Sequence, residues 1–401
     1  MVSETDIQDI IQSYFRQQCP FSHHQIDSYN DLIERVLPSL LSSPSLFPVV
    51  IKRNEGDIRM FEISLTNMKT DVPHYTENNG RRWILTPHKA RLNNLTYSLT
   101  ILVDVVVDVY MNNEEGEKVS HIVNNVILGK VPLVVKSKFC TFKQDILSEC
   151  KYEMGGYFII NGNEKVIITQ ERAITNSPQI HSLSGKYVLS SEIRSHSSQC
   201  SPVKGFSIKL TKGDSPHLYV TIPHVKKDIP LFILMKALGA LTDRESVYYI
   251  IDNNGTDVDE SIKRLLKDSL CDASAIKTEI DAISYISSHI ASYSNNSLVD
   301  DAKISYCKQI LRSELLIHLG YEKHRKLFYI GYMVNELLRC HLGDTEISDR
   351  DNYQNKRLDT CGPLLASLIH QCLSRITKDI KTFVNKELAS GVWNLKSHNR
   401  Q

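Results

Sequence analysis

The chain has 401 residues, of which 41% are hydrophobic and 23% charged, with a formal net charge of +1. That length accommodates two or three domains at roughly 150 residues each, the apolar content excludes a disordered chain, and near-neutrality excludes a uniformly basic nucleic-acid coat. No run approaches the roughly 18 apolar residues of a membrane span, and the nine cysteines form no C-x-x-C pair of the kind a zinc ribbon needs. There is no signal-peptide pattern either, so an intracellular chain with reduced thiols and no membrane partner is expected.

In chain order, apolar spacing predicts two amphipathic helices within the first 45 or so residues. Ile7, Ile10, Ile11 and Phe15 form one stripe, and Leu32, Ile33, Val36, Leu37 and Leu40 the next, with Ser28 and Asp31 placed like a capping box. From Phe47 to about Thr169 the chain is rich in Val, Ile, Tyr and Thr, and residues 101–109 alternate with period two, which is a strand pattern. Two β-rich runs flank Asn161-Gly162, a dipeptide that tolerates the positive φ angles of a type I′ turn, so a hairpin is expected there. Its glycines do not have the spacing of a dinucleotide or P-loop site. Phe206 to Leu210 and Leu218 to Ile222 read as a strand pair. Helical spacing then dominates from Asp228, ending in the longest helix, Leu358 to Leu388, whose expected apolar face is Leu365, Leu368, Ile369, Cys372, Leu373, Ile376, Ile380 and Phe383.

Local charge departs from the neutral total. Residues 81–91 carry Arg81, Arg82, Lys89 and Arg91 with no acid, and residues 129–143 carry Lys130, Lys136, Lys138 and Lys143 with none. Such clusters suit a polyanion, although a solvated face has the same composition. Catalytic patterns are weak. Asp257/Asp259 and Asp349/Asp351 have a spacing that can bind magnesium, but the first pair suits a helix N-terminus and the second is neutralised by Arg350. No G-x-S-x-G or H-E-x-x-H motif is present. From the residues alone, this is a binding or scaffolding chain.

Seven segments, in order, carry a more specific signal. They are Lys89-Ala-Arg-Leu-Asn-Asn-Leu-Thr-Tyr97, Gly129 to Cys140, Met154 to Arg172, Glu192 to Ser195, Ile222 to Gly239, Gly331 to Leu338, and Asp349 to Leu365. Together they resemble the N-terminal part of the second-largest subunit of a eukaryotic, archaeal or viral-type multisubunit DNA-dependent RNA polymerase, over about residues 26–388. The resemblance implies an α+β fold, with a strand-rich protrusion domain and flanking helices interrupted by an inserted, mainly helical lobe. The implied boundaries are 1–191 and 346–401 for the protrusion and 192–345 for the lobe, with the chain ending before the fork region.

The same resemblance implies a segment without catalytic residues of its own, lining one side of the active-centre cleft of a nucleotidyltransferase complex. No cofactor is expected in this segment, because the catalytic magnesium belongs to the largest subunit. Implied partners are that subunit, the small subunits, template DNA, the RNA–DNA hybrid and initiation factors. Lys165 matches a position near the hybrid, and Lys356 and Arg357 match a pair facing nucleic acid. Arg357 is read equally as pairing with Asp349 or Asp351, and Arg91 and Arg172 equally as braces within the protrusion or as phosphate contacts. A nuclear location is implied for a cellular eukaryotic source, and a viral factory or virion for a large DNA virus. A stand-alone, non-catalytic interaction or decoy protein on the same fold is the alternative.

Overall fold

The computed structural model describes residues 4–390 except 17–18, 45, 53–57, 78, 112–117, 142–149, 151, 198–202, 214, 252–256 and 291–299. Lys143, Cys200 and Asp252 therefore lie outside the described residues. Two compact units are present, one of Met1–Glu171 with Leu358–Gln401 and one of Arg172–Arg357.

The first unit begins with helices α1 (Glu4–Arg16) and α2 (His23–Asp31). Helix α2 runs through a π-turn, Leu32–Val36, directly into α3 (Leu37–Leu41). A helix start at Ser28 was expected; instead Ser28 sits in mid-helix. Its hydroxyl serves a distant segment, accepting from Thr360 Oγ1 at 2.5 Å and from the Gly362 N–H at 3.0 Å. Strands β1 (Val49–Lys52), β2 (Ile58–Asp71), a small pair β3 (His74–Thr76) and β4 (Arg82–Ile84), helix α4 (Pro87–Leu92), and the long strands β5 (Ser98–Met111) and β6 (Lys118–Pro132) follow. An antiparallel sheet of order β1-β2-β5-β6 results. Alternation along β5 buries Leu99, Ile101 and Val103 on one face, as period two requires. Next come β7 (Phe158–Ile160), β8 (Asn163–Lys165) and β9 (Gln170–Ala173).

The second unit opens on a five-stranded antiparallel sheet: β10 (Gln179–Ser182), β11 (Tyr187–Ser195), β12 (Lys204–Thr211), β13 (Leu218–Thr221) and β14 (Ile229–Pro230). Its buried face, including Ile193, Phe206, Ile208, Leu210 and Val220, packs with apolar residues of α5 (Leu231–Ala237), α6 (Asp243–Ile250), α7 (Asp257–Cys271), α8 (Glu279–Ser287), α9 (Asp300–Gln309) and α10 (Lys323–Leu342) in one core. Helix α6 is started by a full capping box between Thr242 and Glu245, satisfying two otherwise orphaned N–H groups. Strand β15 (Lys356–Asp359) pairs with β9.

The last helix, α11 (Cys361–Ser390), belongs to the first unit and packs against α2, the π-turn and β1. Its buried positions are Cys361, Gly362, Ala366, Leu373, Thr377 and Val384, while Leu368 and Phe383 are 55% and 60% exposed. The helix is thus rotated away from the expected face. Gly362 explains the rotation: a Cβ there would strike the Ser28 carbonyl, so the small-residue edge of α11 seats on α2. Helix α1 forms where its apolar spacing predicts, but none of its residues is buried.

Candidate functional site

Strands β7 and β8 form the expected hairpin, with Ile160 opposite Asn163 and with Asn161 and Gly162 at φ +50° and +76°. The turn is built onto the segment after α4. Gly162 N donates to the Leu95 carbonyl at 3.1 Å, and a Cβ on Gly162 would lie only 2.9 Å from the Asn94 Cα. Asn161 exchanges hydrogen bonds with the Thr96 hydroxyl, and Tyr97 N donates to the Ile159 carbonyl at 2.9 Å. The residues after β6 complete the arrangement: Leu133 N donates to the Tyr97 carbonyl, and Val135 N to that of Tyr157. Below them the buried Tyr97 phenol accepts from Thr141 N at 2.9 Å and donates to Cys140 Sγ at 3.3 Å. Burial pushes that phenol well above its ordinary pKa, so it stays protonated. Segments 89–97, 129–140 and 154–165, read separately in the sequence, therefore form one place.

Lys165 ends this hairpin opposite the buried Phe158. It is exposed and has no side-chain partner among the described residues. Arg91 is different: its Nε lies 2.8 Å from Glu164 Oε1, and its Nη2 donates to the Tyr157 hydroxyl at 2.8 Å. The guanidinium ties α4 to the hairpin immediately beside Lys165. Burial is the main reason the Tyr157 phenol is pushed up to about 12, so it stays protonated while its oxygen accepts from Arg91. No sequence pattern singled out Tyr157 for this role; only its place after Gly155-Gly156 set it near the arginine.

Arg172 is half-buried on β9, and Lys356 and Arg357 begin β15, the strand that pairs with β9. Lys356 Nζ lies 3.7 Å from Asp351 Oδ1. Arg357 turns its Nη1 onto the carbonyls of Gln354 and Lys356, at 3.0 and 2.7 Å, and is otherwise exposed. Asp349 accepts from the Asp351 N–H at 2.8 Å, an Asx-type turn contact.

Other charges of the second unit serve its fold. Asp228 accepts from Tyr187, Lys209 and Thr221, and these donors hold its carboxyl below the usual range against the opposing effect of burial. Lys236, 5% exposed, donates to the carbonyls of Ala273 and Ile276. Glu314 accepts from both Lys204 and His224. Among the described residues no three His, Cys, Asp or Glu side chains come together to hold a metal, and the Asp257 side chain lies outside them. No helix of the described residues is long and apolar enough to cross a membrane.

Comparison with known proteins agrees with the family resemblance. Residues 21–398 match the family model described as RNA polymerase beta subunit. The chain is 31% identical over 418 residues to DNA-directed RNA polymerase II subunit 2 of Arabidopsis thaliana, covering 97% of this chain and 35% of that protein. It is 33% identical over 422 residues to DNA-directed RNA polymerase II subunit RPB2 of Meyerozyma guilliermondii, covering 96% and 33%. It is also 29% identical over 389 residues to DNA-directed RNA polymerase subunit Rpo2N of Methanocaldococcus jannaschii, covering 94% and 73%. The chain thus spans about a third of the first two relatives.

Proposed function

The chain belongs to the RNA polymerase beta-subunit family, as an N-terminal part of the second-largest subunit, and on that premise we propose that it lines one side of the active-centre cleft of a DNA-directed RNA polymerase. In this reading the lobe, 192–345, lies within the unit of Arg172–Arg357, and most of the protrusion, 1–191 and 346–401, lies in the unit of Met1–Glu171 with Leu358–Gln401. The segment contributes walls and phosphate contacts to nucleotidyl transfer and no catalytic group. Its partners are the largest and small subunits, template DNA, the RNA–DNA hybrid and initiation factors. Magnesium is held by the largest subunit. A nuclear location accords with the eukaryotic relatives.

The observation that carries this reading is the convergence of three family-like segments on the β7–β8 hairpin, which presents Lys165 to solvent with no carboxylate partner among the described residues. A compact ammonium in that setting is suited to a phosphate. Lys356 and Arg357 are assigned a second contact zone. Arg91 acts first as the brace of the hairpin, and Arg172 is the remaining candidate contact on β9. The decoy alternative is not favoured.

Purification through an affinity tag on this chain, from its native cells, tests the proposal. The expected result is co-purification of a largest subunit together with template-dependent nucleotide incorporation. Recovery of the chain alone, without incorporation, would overturn it and restore the decoy.

A further inference from the structure

We propose that His181 and Arg350 form a pH-responsive clasp that holds the segment between α10 and β15 against the edge of the five-stranded sheet and so positions Lys356 and Arg357. Its bearing on nucleic acid rests on the contact zone assigned to those two cations; the clasp itself does not. Strand β10 is an edge strand, so the backbone groups of Ile180 that face away from β11 need partners from elsewhere. Ser348 supplies both: its N–H donates to the Ile180 carbonyl and its hydroxyl accepts the Ile180 N–H, each at 3.0 Å. Two residues on, Arg350 Nε donates to His181 Nδ1 at 3.2 Å. The aspartates that flank Arg350 are engaged elsewhere, Asp349 with the Asp351 N–H and Asp351 with Lys356. Asn355 ties the other end of the segment: its amide donates to the Asp349 carbonyl at 2.7 Å, and its carbonyl accepts from Ile174 N at 2.9 Å.

The arrangement requires a neutral imidazole. Nδ1 accepts from Arg350 only while the ring proton is on Nε2; a proton on Nδ1 removes the acceptor and sets imidazolium against guanidinium. His181 is buried, and burial, followed by the Arg350 charge, holds it below its ordinary 6.5 against the opposing effect of Glu192. That glutamate lies on β11 and accepts from Ser190, the residue directly opposite His181. Lys209, one strand further on the same face, is paired with Asp228. The clasped form therefore takes up a proton less readily than the released form, and acidification below 6.5 favours release.

Hydrogen exchange of the full chain, read by mass spectrometry with rates corrected for their intrinsic pH dependence, tests the clasp. The window runs from about pH 7.5 to about pH 5.5, above the range in which ordinary carboxylates titrate. Protection of residues 344–352 is expected to fall several-fold, with about tenfold per pH unit as the limit for one proton, while β12 stays protected. His181→Asn keeps an acceptor near the place of Nδ1 and cannot be protonated, so it should hold the segment throughout. Arg350→Met, at an exposed position, should leave the segment weakly protected with no pH step, which keeps the test decisive if Asn disturbs the buried site. Protection that does not change with pH in the parent, or that still falls in His181→Asn or Arg350→Met, would overturn the clasp. Loss of β12 protection in the same window would mark general unfolding and overturn it too. In assembled polymerase, transcript dissociation from stalled complexes should quicken with acidification more in the parent than in His181→Asn. Equal pH dependence of the two would overturn the positioning of Lys356 and Arg357, and co-purification would still decide the subunit reading independently.

Discussion

Asp104 Oδ1 accepts the backbone N–H of Asn125 at 2.8 Å, joining the central strand β5 to an irregularity in β6. Its second oxygen accepts from Asn67 Nδ2 at 2.7 Å, at a register shift in β2. Asn67 and Asn125 both have positive φ, at +51° and +55°. One buried carboxylate therefore secures a bulge on each neighbouring strand, where extra residues leave the ladder. A charged residue inside an apolar alternating run is explained by this double contact.

The contact makes the first unit acid-sensitive. The Asn125 N–H, and then the Asn67 amide, hold the Asp104 carboxyl below its ordinary value of 3.8. The folded state consequently binds fewer protons than the unfolded state in that range. The stabilisation is complete above 3.8 and disappears as the pH falls through the lower folded value. Urea unfolding between neutral and acidic pH should show this loss. Asp104→Ala should lower the neutral-pH midpoint more than Asp104→Asn, which keeps one acceptor, and both should flatten the acid limb. An acid limb that persists in both variants would assign it to other carboxylates.

Gly331 lets two helices of the second unit meet. A Cβ at this position on α10 would collide with the Tyr249 carbonyl of α6. Four residues on, Asn335 Nδ2 donates to the Ile250 carbonyl at 2.7 Å, fixing the same contact. Gly331→Ala must separate the helices or bend one of them, because the obstacle is backbone. Overpacking of this kind costs about 3 kcal/mol. Thermal unfolding of the Ala variant should show a large drop in midpoint, while Gly343→Ala, where no atom lies within 4 Å, should show only the smaller cost of its positive φ.

The elements differ in how legible they are from the residues alone. The β7–β8 hairpin is readable because Asn161-Gly162 meets the conformational demand of the turn within the dipeptide itself. Gly331 and Gly362 are visible as motif residues, but the reason for them, a backbone carbonyl arriving from a distant helix, is not local. Ser28 shows the same separation: its spacing to Asp31 suits a cap, yet its hydroxyl serves Thr360 and Gly362 more than 300 positions away. The rotation of α11 follows from that contact, which apolar periodicity does not encode. In the site, clustered cations are readable as a class. Whether each is paired depends on tertiary geometry, which ties Arg91 to Glu164 and leaves Lys165 without a partner among the described residues.

Lys326 makes the second unit pH-sensitive in the alkaline range, with the same sign as Asp104 has in the acid range. Its side chain is 1% exposed, and Nζ donates to the carbonyls of Leu311 and Arg312, both at 2.8 Å, within the π-turn after α9. Burial pushes its pKa down from 10.5 to about 8. Between those values the unfolded state holds the proton more tightly, so stability rises with pH across that window, by at most about 3 kcal/mol. Lys326→Met should abolish the rise, and at neutral pH its effect should be small, since relief from a buried charge offsets two unpaired carbonyls. Denaturant midpoints at pH 7 and at pH 10 distinguish these outcomes. A rise that persists in Lys326→Met would assign it to another group.

Lys165 is the position where the proposed cleft role is most directly exposed to test. Its place at the end of β8 is set by the turn, by Arg91 bonded to Glu164 beside it, and by the buried Phe158 across the strand pair. The side chain itself takes no part in holding that geometry, so Lys165→Glu should leave folding and subunit assembly unchanged. In assembled polymerase, reversal of the charge should shorten the lifetime of stalled elongation complexes, most steeply at high salt, where remaining phosphate contacts are already weakened. Lys165→Gln, which removes the charge without reversing it, should lie between the parent and Lys165→Glu. The measurement is the dissociation rate of labelled transcript across a salt series. Identical rates for all three proteins at every salt concentration would remove Lys165 from the hybrid and leave it a solvated charge on a structural hairpin.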